Sequence, residues 1–213
     1  KNLVDKIIAS LISSGAGFLL YDEKTKINAT SSSRCSFYYN TQEGSTKYLP
    51  NIRYIGEKPK VKDCIKLIIK HGNGASPMTY KNIDFDIRFY SKNYLKEKPG
   101  YSIISLTSYA PSSFTINEKA KQNLLDFVFL ADTVWKNVKL LYGTAGIGLE
   151  INLDELKSGK LEGTIGSFAF FSKELIMAVG KEKIVMLANP KINGSVHEYL
   201  NGSVRIIRHL YGK

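Results

Sequence analysis

The hydrophobic pattern changes period several times along this chain, and each change marks an element. Leu3, Val4, Ile7, Ile8 and Leu11 recur at helical spacing and predict an amphipathic helix over residues 2–14, ended by Ser13-Ser14-Gly15. Gly17 to Tyr21 reads as a buried strand and residues 23–33 as a polar loop. Residues 34–40 and 47–55 read as short strands around a turn at Glu43-Gly44. Lys60 to Ile69 returns to helical spacing, closed by His71-Gly72. Ile83, Phe85, Ile87 and Phe89 then alternate with Asp84, Asp86, Arg88 and Tyr90, the period of a half-buried strand. Tyr101 to Ser108 is a further strand.

In the second half, Thr115-Ile-Asn-Glu118 has the form of a capping box, in which hydroxyl and carboxylate each satisfy a free backbone N–H at a helix start. The helix it opens runs to about Leu141, with Leu124, Leu125, Val128, Val134, Trp135 and Val138 as its apolar stripe and Gly143, Gly146 and Gly148 as its stop. Ser167 to Val179 reads as a shorter helix ended by Gly180, and Lys183 to Ala188 as a strand limited by Pro190. The end of the chain holds two Asn-Gly pairs, Asn193-Gly194 and Asn201-Gly202, each followed by Ser-Val. Asn-Gly favours the type I′ turn, which needs positive φ at both central residues, so two hairpins are expected. Helices and strands do not alternate as in βαβ units. The expected fold is α+β: a single basic domain over residues 1–213, with a largely antiparallel sheet and C-terminal β-hairpins packed against several helices.

Charge narrows the function. The chain of 213 residues carries a formal net charge of +11, with lysines spread along its whole length. That points to nucleic acid, an anionic membrane surface or an acidic protein as partner. No apolar run is long enough to span a membrane. The start at Lys1 and the sequons at Asn28, Asn193 and Asn201 are read as those of a processed, secreted protein. Cys35 and Cys64 allow one disulfide, one bridge to a partner, or two free thiols. With two cysteines and three scattered histidines, no metal site is expected. No cofactor is expected either: Gly143-Thr-Ala-Gly-Ile-Gly148 follows a helix, whereas a dinucleotide fingerprint follows a strand. Asp84 and Asp86 share a strand face and are read as a solvated edge rather than as metal ligands.

Candidate chemistry concentrates in the last hairpin. A two-residue turn at Asn201-Gly202 pairs Glu198 with Arg205 and puts His209 on their face, with His197 and Arg208 on the other. RNA can be cut without a metal by a carboxylate that takes the 2′-OH proton, a histidine that protonates the leaving oxygen, and a cation on the phosphorane. His209 and Arg205 are the candidates for catalysis; Arg208, Glu198 and His197 are candidates for RNA contact. Glu198–Arg205 is equally an ordinary cross-strand ion pair. Two other classes compete: a non-catalytic nucleic-acid-binding or capsid-type protein, and an N-glycosidase or ADP-ribosyltransferase toxin.

Arg208-His209-Leu-Tyr near the C-terminus and the N-terminal helix Asn2-Leu-Val-Asp-Lys-Ile-Ile-Ala-Ser-Leu carry a family resemblance. On these features, with its length and basic character, the chain resembles the gamma subunit of zymocin-type yeast killer toxins, the tRNA anticodon nucleases. The resemblance implies an acid–base pair of a C-terminal histidine and a glutamate in the N-terminal helix. His209 matches the first. Ala9 stands at the position expected to hold the acid, as a Glu-to-Ala replacement would leave it, and Asp5 is the helix's one acid. A third, basic catalytic residue of that family has no match, since no arginine lies between Arg88 and Arg205. The resemblance further implies a secreted toxin acting in the cytosol of a target cell. It would cut tRNA in the anticodon loop and leave a 2′,3′-cyclic phosphate. A disulfide through Cys35 or Cys64 would link it to a delivery subunit.

Overall fold

The computed structural model describes residues 3–18, 38–40, 46–48, 61–71, 73–81, 83–90, 103–108, 118–145, 153–161, 165–188 and 194–208. The fold is α+β, and every strand pairing among the described residues is antiparallel. The sequence reads as one domain over 1–213; the chain packs as two compact units, residues 1–113 and 114–213, each with its own sheet. No helix among the described residues is long and apolar enough to cross a membrane.

The first unit opens with α1 (Leu3–Ser13), which buries Val4, Ile7, Ile8 and Leu11, the face its spacing predicts. Its end is a tight reversal: Gly15, at φ 92°, takes a conformation open to glycine, and Ala16 N–H donates to the Leu11 carbonyl. Then come β1 (Gly17–Phe18), β2 (Tyr38–Asn40), β3 (Thr46–Tyr48), α2 (Val61–His71), β4 (Gly74–Tyr80), β5 (Ile83–Tyr90) and β6 (Ile103–Ser108). The expected loop at 23–33 and turn at Glu43-Gly44 lie outside the described residues. Strand order is β3-β2-β4-β5-β6, with β1 also on β4. As the alternation predicts, Ile83, Phe85, Ile87 and Phe89 are buried, each stabilising the fold by about 1.5–3 kcal/mol.

Strand β4 was not legible, because Gly74, Ser76 and Pro77 all read as turn residues. Its pairing explains how it tolerates them. On the side away from β5, β2 meets Gly74 and Ala75 while β1 meets Met78 and Thr79. Pro77 falls between the two partners, so its missing N–H breaks no ladder bond with either.

The second unit contains α3 (Glu118–Asn137), β7 (Tyr142–Ala145), α4 (Leu153–Lys157), β8 (Phe168–Phe171), α5 (Lys173–Val179), α6 (Lys181–Val185), β9 (Ser195–Glu198) and β10 (Val204–Ile207). The sheet order is β7-β8-β10-β9. One face, with Phe168, Phe170 and Ile207, packs on Leu124, Val128 and Trp135 of α3. The other, with Ala169, Phe171, Val204 and Ile206, packs on Leu156 of α4, Leu175, Ile176 and Val179 of α5, and Ile184 of α6.

Three expectations are corrected here. The long helix stops at Asn137, and the Gly143 region begins with strand β7. Residues 168–171 are a strand rather than the start of a helix; Phe-Ala-Phe-Phe is buried on both faces, a short apolar run that period alone cannot assign. Ser172 then caps α5, its Oγ accepting from Leu175 N–H. The strand expected at 183–188 is instead α6 and the turn after it, restarted from Gly180 at φ 97°. Asn193 lies outside the described residues; the hairpin seen is the second, β9–β10.

Candidate functional site

The β9–β10 hairpin pairs Val204 with Glu198, Arg205 with His197, Ile206 with Val196 and Ile207 with Ser195. This is one residue out of the expected register, and a one-residue slip exchanges faces. The cause is the turn. Gly202 N–H donates to the Tyr199 carbonyl, Tyr199 N–H donates to the Ser203 carbonyl, and Gly202 alone in the turn has positive φ, at 78°. Three residues form the loop, with glycine in the left-handed position, rather than a two-residue I′ turn. Asn201 serves by its side chain: its Oδ1 accepts from Ser203 N–H at 3.0 Å and from Ser203 Oγ at 2.6 Å.

The expected Glu198–Arg205 pair therefore does not form. Glu198 lies on the face toward the short helices, and Lys181 Nζ reaches it at 2.7 Å; both side chains are about half exposed. His197, expected on the opposite face, sits across from Arg205 and is exposed. Its ring meets Tyr199 edge-on at 4.7 Å between centroids.

Arg205 points toward α3 and finds Asp132 there, its Nη1 donating to Asp132 Oδ1 at 2.8 Å. The Tyr199 hydroxyl donates to the same oxygen. Lys136, one helical turn on from Asp132, donates to Oδ2 at 2.7 Å and also lies 5.8 Å from the Tyr199 ring centroid. Burial would raise the Asp132 carboxyl, but bonds from Lys136 and Tyr199 and the charges of Arg205 and Lys136 outweigh it and hold it below its ordinary value. Burial, and then the Asp132 carboxylate, push the Tyr199 phenol well above its ordinary value.

These groups divide by chemistry. Asp132 is a firmly ionised acceptor whose oxygens serve three donors, so it is a poor proton acceptor and a good anchor. Arg205 is fixed in place by it. Lys136, more than half exposed, and His197 face solvent beside them. The patch joins a cation anchored by Asp132, a second and more exposed cation, and an exposed imidazole.

The remaining candidates fall on other elements or outside the described residues. Arg208 Nη1 donates to the Ile165 carbonyl at 3.0 Å, which ties down the chain after β10. His209 and Cys35 lie outside the described residues. Ala9 is on the exposed face of α1 in the first unit, between Asp5 and Ser13. Cys64 is a free thiol, buried on α2; burial first, and Asp63 second, raise its pKa. No group of three His, Cys, Asp or Glu side chains able to hold a metal occurs among the described residues. Asp86, expected at a solvated edge, is fully buried on the central strand β5.

Sequence reading missed Asp132, Lys136 and Tyr199. Asp132 and Lys136 carry a visible signal, an acid and a base four apart on a helix. Nothing in the sequence joins that pair to Arg205, which lies 73 residues away from Asp132. Compared with protein-family models, curated proteins and solved structures, the chain matches none.

Proposed function

We propose that the protein is a metal-independent ribonuclease, with the His197–Arg205–Lys136 patch holding RNA at a phosphate. The observation that carries this reading is the pairing of exposed His197 with Arg205, whose guanidinium Asp132 fixes. A net charge of +11 supports a polyanionic partner. In the reaction the 2′-oxygen bonds to phosphorus and the bond from phosphorus to the 5′-oxygen breaks. A base removes the 2′-OH proton, an acid protonates the departing 5′-oxygen, and Arg205 and Lys136 stabilise the charge between. On this reading His197 serves one proton transfer and His209, by resemblance, the other.

The finer reading follows the resemblance: the substrate is tRNA, cut in the anticodon loop by a secreted toxin in a target cell. A disulfide to a delivery subunit is then assigned to Cys35, because the Cys64 thiol is buried.

The test is incubation with total yeast tRNA in EDTA, using the chain as it stands and as Ala9→Glu. Discrete half-tRNA fragments ending in 2′,3′-cyclic phosphate are expected. His197→Ala should slow their formation by about 10²–10⁴-fold, the usual worth of a general acid or base. His209→Ala should do the same. tRNA that is shifted on a gel but stays intact with both forms sinks the nuclease reading in favour of binding alone. Release of free adenine points to an N-glycosidase. Ala9→Glu should change stability by no more than about 0.5 kcal/mol, since the site is exposed and Lys6 offsets Asp5 beside it; thermal unfolding checks this.

A further inference from the structure

The first unit contains a carboxylate that the ribonuclease reading does not use. Asp86 is 0% exposed on β5, the strand between β4 and β6. Neither of its oxygens has a hydrogen-bond partner among the described residues. Buried ionised groups are usually both paired and hydrogen-bonded, because removing a charge from water costs several kcal/mol. Here the sole charged contact among the described residues is Arg88 Nη2, at 3.7 Å from Oδ2. Across the sheet, Asp86 faces Pro77 on β4 and Thr107 on β6, neither of them titratable. The Thr107 hydroxyl makes its 3.0 Å hydrogen bond with Ser105 and none with Asp86. Along β5 the flanking residues on the same face are Arg88 and the exposed Asp84.

We propose that Asp86 is a pH-sensitive switch in the first unit: protonated, it fits the closed sheet, and ionised, it loosens β4, β5 and β6. The arrangement has the asymmetry a switch needs. A neutral carboxylic acid is tolerable in this place, whereas a carboxylate with one distant counter-charge and no donors is not. Burial pushes the Asp86 pKa up to about 7 against the pull of Arg88. A carboxyl with a raised folded pKa gives stability that is complete below the unfolded value and is lost as pH rises toward the folded one. The window therefore runs from about pH 4 to pH 7. Asp132 of the second unit responds in the opposite sense, and only in stronger acid, so its own contribution stays constant across this window.

The test is amide hydrogen exchange of the whole chain at pH 4.5 and pH 8, corrected for the intrinsic rate at each pH. Protection over 74–90 and 103–108 should fall on the order of 10²-fold at pH 8, with 168–171 and 204–207 as the unchanged internal reference. Asp86→Asn should remove most of that difference. Arg88→Gln should carry the loss of protection to higher pH, because Asp86 then keeps its proton longer; this variant decides the matter if Asp86→Asn fails to fold. Equal protection of the first unit at the two pH values overturns the switch. So does a pH dependence that neither substitution alters. None of these outcomes bears on RNA cleavage by the second unit.

Discussion

Asp132→Ala should lower stability at pH 7 by about 3 kcal/mol, the lower end of what removing one partner from a buried ion pair costs. The loss has three parts. Arg205, 20% exposed at its side chain, keeps its charge but loses the carboxylate that Nη1 contacts at 2.8 Å. The Tyr199 hydroxyl loses its acceptor. Lys136, 56% exposed, returns to water at little cost. The difference should depend on pH in a defined direction. A carboxyl with a lowered folded pKa stabilises above its unfolded value, and that stability is lost as pH falls through the folded value. Urea unfolding should therefore show wild type and variant far apart at pH 7 and closer at pH 2.5. An equal gap at the two pH values would mean that Asp132 acts through packing rather than charge. Arg205→Met should cost less, about 1–2 kcal/mol, since Asp132 keeps two donors.

The same variant probes the proposed role of Arg205. With Asp132 gone, local positive charge rises, so RNA binding at low salt should hold or strengthen. Cleavage should fall, because the guanidinium is no longer fixed against the phosphate. A fall in both together would make Asp132 a folding residue only.

Elements with a long, clean period were legible in the sequence. α1, α2, α3 and β5 each carry one helical or alternating pattern. β4 was hidden by Pro77, whose place between β1 and β2 is a property of the sheet and not of the segment. β8 was hidden because both its faces are buried, leaving no alternation. α6 was hidden because Ile184 and Val185 look strand-like, while what decides is the helix restart at Gly180.

Within the hairpin, the expected register failed at the turn. Asn-Gly is compatible with a two-residue and a three-residue loop, and these differ by one residue in register. The two-residue register would put Tyr199 beside Val204, on the face away from α3. The observed one puts it on the α3 face, where its hydroxyl meets Asp132, and leaves Leu200 fully exposed at the tip. The choice is made by partners 67 residues away, which no local signal contains. The charges, the histidine and the hairpin were found in the sequence; their pairing was not.

Trp135→Ala should cost about 3–5 kcal/mol, in the range for deleting a large buried aromatic. Trp135 is 6% exposed and stacks on Phe170 at 5.1 Å between centroids. Gly143 lies across from Phe170 on β7, and a Cβ there would meet Phe170 at 3.6 Å and Trp135 at 3.9 Å, both ordinary contacts. The indole also has a polar task. Its Nε1 donates to Ser203 Oγ at 3.0 Å, and Ser203 donates in turn to Asn201. That chain fixes the turn that sets the hairpin register, so Trp135 bears on where Arg205 and His197 fall. Trp135→Phe separates the two contributions. It keeps most of the ring packing and loses the Nε1 bond, so it should cost about 1–2 kcal/mol, yet reduce RNA cleavage nearly as far as Trp135→Ala. Far-UV circular dichroism in urea gives the stabilities, because the chain's one tryptophan is lost in each variant. If Trp135→Phe cleaves RNA at the wild-type rate, the indole bond does not hold the register, and packing on Phe170 is sufficient.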